Sequence, residues 1–308
     1  MQLQIHLRGF DWYCWQTYLT ALYENQSPSG RDKMSINKND RRDLSDVEES
    51  LLLPLYFRAI ESQRPDALIR DEFAQSLVDK LNLDETYFIN AQVGEEVKVS
   101  ILLRNRQFDR ITADFLTKNP KAIVVYLGCG LDTRFNRVDD GRVEWYDLDL
   151  PEVIALRAEL IGGEAGRYHL LACSALDHAW MDSVSIHKSH PFLFQAEGLF
   201  MFFKEAQVRE LVLALKDRFP GSELVFDAFS PFYVWANNRR VTRTNIGARA
   251  HWSLKRGEDL EIWTDGIHLL ETWYPFLCNE PRLAHIKWVR FIPLLSKTTG
   301  VFHYRLGE

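Results

Sequence analysis

The sequence predicts an α/β protein, a mostly parallel sheet with helices on both faces. Three observations predict it. Short apolar, largely β-branched runs recur at residues 121–127 (KAIVVYL), 143–146, 168–172, 191–195 and 223–228 (ELVFDA). Helical patterns separate most of them, notably at 153–160 and 205–219. The first of them, bounded by glycines on its far side, is a short β-branched run, which is how a strand buried in a parallel sheet reads. Strand, helix, strand in this rhythm builds βαβ units.

The elements follow in order. Residues 26–32 (QSPSGRD) form a turn-rich break, and Met34 opens a polar stretch. An N-terminal extension, 1–44, is expected ahead of a domain spanning 45–308; one expectation makes Met34 the native start and residues 1–33 an upstream extension, and the other is an ordinary N-terminal arm. Ser45 or Asp46 can cap a helix carrying Val47, Leu51, Leu52, Leu55 and Tyr56 at helical spacing. A second helix is expected near 71–81, through Phe73, Leu77, Val78 and Leu81, and a third over 94–115, through Val97, Ile101, Leu102, Phe108, Ile111 and Phe115. Pro120 closes the helical region and the first strand follows.

Composition narrows the class. A chain of 308 residues makes one large domain or two modest ones and can bury roughly 75% of its unfolded surface. With 46% hydrophobic and 26% charged residues it is neither disordered nor collagen-like. A net charge of −6 and a pI near 5.9 argue against nucleic acid as a partner, because phosphate neutralisation needs a basic footprint. Cys14, Cys129, Cys173 and Cys278 lie far apart, with no CxxC pair or Cys/His cluster, so neither a disulfide staple nor a metal is expected. The longest apolar run, 51–57, contains Pro54 and falls far short of the roughly 18 residues of a membrane helix. The N-terminus lacks a signal-peptide pattern, and a cytoplasmic protein is expected.

The sharpest motif is VVYLGCGLDTR at residues 124–134, which places Gly128 and Gly130 in the turn leaving the first strand. Glycine there lets the chain turn sharply and lets a ligand approach the backbone. The third glycine of a dinucleotide fingerprint is replaced by Thr133, and Arg134 is followed by Phe135, so no Walker lysine is present. What remains is a nucleoside-type loop without a diphosphate cradle. The second strand ends in WYDLDLPEV, with Asp147 and Asp149 nineteen and twenty-one positions beyond Gly128, where a doubly wound fold places the carboxylate that holds a ribose. A carboxylate accepts from both ribose hydroxyls; the other reading of these acids is to cap the helix opening at Pro151. Asp149 is expected to hold the ribose. Without the third glycine, S-adenosylmethionine is a better ligand than NAD.

The run SLLLPLYFRAIESQRPDALIRDEFA, then LLRNRQFD, VVYLGCGLDTRFNRV, WYDLDLPEVIALR, FQAEGLFMFF and FPGSELVFDAFS, resembles the leucine carboxyl methyltransferase superfamily over roughly residues 45–300. Within it, the chain is most similar to the bacterial branch that includes polyketide O-methyltransferases. The resemblance implies a class I methyltransferase sheet of seven strands, the last antiparallel, with helices ahead of it and S-adenosylmethionine as methyl donor. It puts the arginine that grips the cofactor carboxylate at Arg104 and a second basic position near the same carboxylate at Arg58. Gly128 and Gly130 match the family loop, and Asp149 its ribose acid. Glu197, after the fourth strand, matches a residue beside the methionine part of the cofactor, where it would hold the ammonium or shape the cavity; the other reading is a helix-capping acid. One segment departs from the family: where many members carry Asp-Leu to read the adenine, this chain has CSALDHAW, with Ser174 or Ala175 at the acid position, Leu176 next and Asp177 as a substitute.

The acceptor signals are weaker. Phe200, Met201, Phe202, Phe203, Phe229, Phe232, Tyr233 and Trp235 supply aromatic and apolar surface for a planar substrate or simply for a core. The stretch 235–270, with Arg239, Arg240, Arg243, Arg249, Lys255 and Arg256, reads as a solvated, lid-like insertion, the other reading being recognition of an acidic substrate. The expected acceptor is a small-molecule carboxylate or hydroxyl. A carboxylate, which ordinarily titrates at about pH 4, needs no base, whereas a phenol, titrating at about pH 10, would benefit from one. His251 and His268 are the nearest candidates by region, and no base is assigned. The rivals are an NAD-linked oxidoreductase, which would need the missing glycine, and a non-catalytic methyltransferase-like binding protein.

Overall fold

The computed structural model describes residues 46–81, 83, 94–244 and 249–307. The expectation about Met34 and an N-terminal extension lies outside them, as do the side chains of Arg240 and Arg243. Strands form on the apolar runs, extended by one to three residues at some ends: β1 Ile123–Leu127, β2 Glu144–Asp149, β3 Tyr168–Ala172, β4 Phe192–Ala196 and β5 Ser222–Phe229. With β6 Ile267–Trp273 and β7 Thr299–Leu306 they make one sheet of order β3-β2-β1-β4-β5-β7-β6. Strands β1 to β5 pair in parallel, and β7 is antiparallel to both its neighbours. This is the seven-stranded sheet that the family resemblance implies.

The α-helices among the described residues are α1 Asp46–Ser62, α2 Glu72–Lys80, α3 Glu95–Lys118, α4 Arg134–Val138, α5 Pro151–Leu160, α6 Trp180–Val184, α7 Glu205–Arg218, α8 Pro231–Thr244 and α9 Pro293–Ser296. Local chemistry sets their ends. Asp71 caps α2 by accepting from the Ala74 amide, and Pro151 occupies the first turn of α5, where its missing N–H costs nothing. All five residues of β1 are buried. Val125 and Leu127 join Leu211 and Leu215 of α7 on one face, while Val124 and Tyr126 join Phe108 and Ile111 of α3 on the other. Each fully buried side chain of this size contributes about 1.5–3 kcal/mol, which is why the run has no polar alternation. A third cluster packs Leu52, Leu55 and Ala59 of α1, Leu77 of α2 and Leu102 of α3 onto Leu131, just past the glycine turn.

The stretch expected as a lid-like insertion is not one unit. Its first residues, to Thr244, belong to α8, and its last, from Ile267, to edge strand β6. Before them, Trp252, Leu254 and Leu260 are at most 5% exposed, and the Tyr304 hydroxyl donates to the Gly257 carbonyl at 2.6 Å. The charged residues in this stretch mask an apolar spacing that docks it onto the sheet. Among the described residues no helix is long and apolar enough to cross a membrane, no acidic, cysteine and histidine group could hold a metal, and the cysteines are free.

Candidate functional site

Sheet register defines the site. Leu127 at the end of β1 pairs with Leu148 of β2 on one side and with Ala196 of β4 on the other, so three strands end level where the connections diverge. That is the topological switch point at which open α/β sheets bind ligands. The glycine turn fills it. Gly128 and Gly130 have φ of +67° and +51°, a region that favours glycine. A Cβ on Gly128 would lie 3.0 Å from Leu199, and one on Gly130 3.1 Å from Leu51. The turn is fastened to β2 by the Gly128 and Cys129 amides, which donate to the Leu148 carbonyl at 2.8 and 3.1 Å.

Asp149 meets this turn directly. Its Oδ2 accepts from the Gly130 amide and its Oδ1 from the Leu150 amide, both at 2.8 Å. Burial raises its pKa, with these two amides opposing. It does not cap α5, whose N-cap is Leu150 without a side-chain bond. The amide of Cys173 donates to the Asp149 carbonyl at 2.9 Å, which brings the turn after β3 alongside. There Ser174 Oγ accepts from the Leu176 amide at 3.2 Å; Ser174 and Leu176 are half-buried and Asp177 is exposed.

Asp147 departs from the ligand-facing position expected of it. It is 1% exposed, and its carboxylate accepts from Trp145 Nε1 at 2.7 Å, the Tyr168 hydroxyl at 2.7 Å and Arg157 Nη2. Arg157 in turn donates to the Gly130 carbonyl at 2.9 Å. The two acids point to the same face of β2, but Asp147 lies two residues deeper, about 6.6 Å from the strand end, so it supports the turn from beneath. Arg58 is likewise enclosed: 2% exposed, it donates to Asp71 Oδ2 and to the Leu131 carbonyl, both at 2.9 Å. It braces the same turn through Leu131.

Arg104 and Glu197 do come together, in a buried ion network. Arg104 Nε donates to Glu197 Oε1 at 2.8 Å and Nη1 to Asp227 Oδ2 at 2.9 Å. These acids hold its guanidinium charged against the burial that opposes it. Glu197 Oε1 also accepts from Asn105, and Oε2 from Arg134 Nη2 at 2.5 Å. Arg134, 0% exposed, further pairs with Asp109 at 2.7 Å and Asp132 at 3.0 Å and lies over the rings of Phe108 and Tyr126. Arg137 joins Asp71, Asp109 and Asp132. Desolvation would push the Asp132 carboxyl up, but Arg134, Arg137 and Arg58 hold it well below the usual range.

Sequence reasoning missed Asn105, Arg134, Arg157 and Asp227. Two of them carried a signal: an acid inside the apolar run ELVFDA and an arginine at the end of GLDTR are residues that rarely enter a core unpaired. His268 is excluded from the site. It pairs through Arg305 with Glu223, at the amino end of β5, whereas Glu197 follows the carboxyl end of β4.

The sheet order and a glycine turn bonded to an acid at the switch point define a class I methyltransferase. The sequence profile of the leucine carboxyl methyltransferase family matches residues 52–216, and the chain belongs to that family. It is 31% identical to the tetracenomycin polyketide synthesis O-methyltransferase TcmP of Streptomyces glaucescens, over 85% of this chain and 97% of that one. It is 26% identical to the S-adenosyl-L-methionine-dependent methyltransferase dpfgK of Gibberella zeae, over 80% and 88%. A solved structure of a provisionally assigned methyltransferase from Thermobifida fusca YX superposes with a TM-score of 0.51 at 18% identity, over 82% of this chain and 94% of that one; it bears on the fold alone. The chain is an enzyme, a methyltransferase that uses S-adenosylmethionine.

Proposed function

We propose that the enzyme transfers a methyl group to an oxygen of a small molecule, a carboxylate or hydroxyl of a polyketide-like or other secondary metabolite. The observation that carries this reading is the identity to TcmP, which spans nearly all of an enzyme named for O-methylation in polyketide synthesis. When bound, S-adenosylmethionine supplies an electrophilic methyl on a sulfonium. The residues present fit it. Gly128 and Gly130 turn at positive φ and carry no side chain, as a loop whose backbone a nucleoside approaches closely requires. Asp149 accepts the ribose hydroxyls, and the Ser174 to Leu176 turn lies beside the adenine. Arg104 takes the cofactor carboxylate through Nη2, the nitrogen not used by Glu197 or Asp227. Glu197 faces the ammonium. Arg58 acts through the Leu131 carbonyl and Asp147 through Arg157, both holding the loop rather than the ligand.

Holding methyl and acceptor oxygen near 3 Å while excluding water can supply much of the acceleration. His268 lies at the other end of the sheet, and His251 is exposed with its backbone amide donating to the Met201 carbonyl; no base is assigned among the described residues. A carboxylate, already ionised at neutral pH, needs none. The test uses methyl-labelled S-adenosylmethionine with a small-molecule extract of the source cells. Label in a small molecule is expected, released by mild base if it is an ester. Label found only in protein, or nowhere, refutes the proposal.

A further inference from the structure

Resting on the assignment of Arg104 to the cofactor carboxylate, we infer that Asp227 is the residue that positions that arginine and the loop after β4 for amino-acid recognition. Asp227 sits near the carboxyl end of β5, 0% exposed, and each of its oxygens has one task. Oδ2 accepts from Arg104 Nη1 at 2.9 Å, and Oδ1 accepts from the Gly198 amide at 2.6 Å. One carboxylate therefore ties α3 to the residue that follows Glu197. Burial raises its pKa and Arg104 opposes that rise.

A guanidinium is planar and offers its donors in fixed directions. With Nε held by Glu197 and Nη1 by Asp227, the plane is fixed and Nη2 has no hydrogen-bond partner among the described residues. The space beside it is kept by Gly198, whose φ of +69° favours glycine and where a Cβ would lie 3.9 Å from Nη2. The Arg104 side chain is 17% exposed, and Nη2 is the nitrogen that neither acid holds. The arrangement also matches a zwitterion: Nη2 meets the carboxylate and Glu197 favours the neighbouring ammonium. Asp227 touches neither; it acts through Arg104 and Gly198.

The test compares two ligands by calorimetry on the full chain. S-adenosylhomocysteine carries the whole amino-acid group, and S-adenosylthiopropylamine lacks only the carboxylate. Asp227→Asn is expected to weaken S-adenosylhomocysteine about tenfold or more, the scale of a charge-assisted hydrogen bond, and to leave the amine within about twofold. In an Arg104→Ala background the same substitution is expected to add nothing. Equal losses for both ligands, or none for either, overturn the inference. If Asp227→Asn does not accumulate folded, Asp227→Glu replaces it, because one extra methylene displaces the guanidinium while keeping the charge; the same selective loss is expected. Arg104→Ala alone separates the two readings. Equal loss of both ligands there refutes the role of Arg104, whereas a selective loss there without one in the Asp227 variant refutes Asp227 alone.

Discussion

The two halves of the site are built on different principles. On the side we propose for the nucleoside, Asp149 is met by the amides of Gly130 and Leu150, all within one βα unit and its neighbouring strand. On the side we propose for the amino-acid group, Glu197 is met by Arg104, Asn105 and Arg134, from the helix ahead of the sheet and from the start of α4. The first half needs little more than two glycines and an acid at the right spacing. The second needs charges balanced in a dry interior, so each residue there depends on all the others. A local motif can therefore be altered one ligand contact at a time, while the network fails as a unit.

The largest expected effect tests that unity. Arg134→Ala removes the cation shared by Asp109, Asp132 and Glu197 and should cost about 3–5 kcal/mol of stability, the scale of breaking a buried pair from one side. Chemical denaturation reads it, and a loss under about 1 kcal/mol would make the network no more than a set of surface-type pairs. Asp132→Asn, which keeps the shape and removes one charge, should cost about 1–3 kcal/mol at pH 7. The sign of its pH dependence follows from the direction of the shift. The folded-state pKa of Asp132 is depressed, so its stabilisation is present above the unfolded value near 4 and is lost as pH falls toward the folded one. Melting curves of wild type and variant should converge below about pH 4; a gap that stays constant to lower pH breaks the assignment.

On the nucleoside side the effects should appear in binding. Asp149→Ala should weaken S-adenosylhomocysteine by at least about tenfold, or about 1.4 kcal/mol, and unchanged affinity would remove it from the ribose. Ser174→Ala should be the smallest, under about threefold, because its Oγ already serves the turn through the Leu176 amide. A larger loss would mean that the hydroxyl itself reads the adenine.

Much of this molecule is written locally. The apolar runs mark β1 to β5 because strands buried on both faces cannot alternate, and Pro151 and Asp71 mark helix starts by their own chemistry. Gly128, Gly130 and the acid that reaches them are legible for the same reason: backbone conformation and strand length depend on neighbours in sequence. Strand β6 reads in the sequence as part of an insertion because a partly exposed edge strand, alternating between faces, carries a weak apolar signal among charged neighbours. The choice between Asp147 and Asp149 rests on depth along a strand, which spacing alone expresses only roughly, and the structure places Asp147 under Arg157.

The sequence by itself determined the α/β class, the glycine turn and the acid opposite it, since each follows from periodicity, left-handed backbone and the reach of one βα unit. Only the tertiary structure decided which arginines are enclosed, which acid each one holds, and that Asp227 shares Arg104 with Glu197 across 123 positions of chain. Pairing at that range depends on which surfaces the packed sheet and helices bring together and exclude from water, and no local pattern of residues records it.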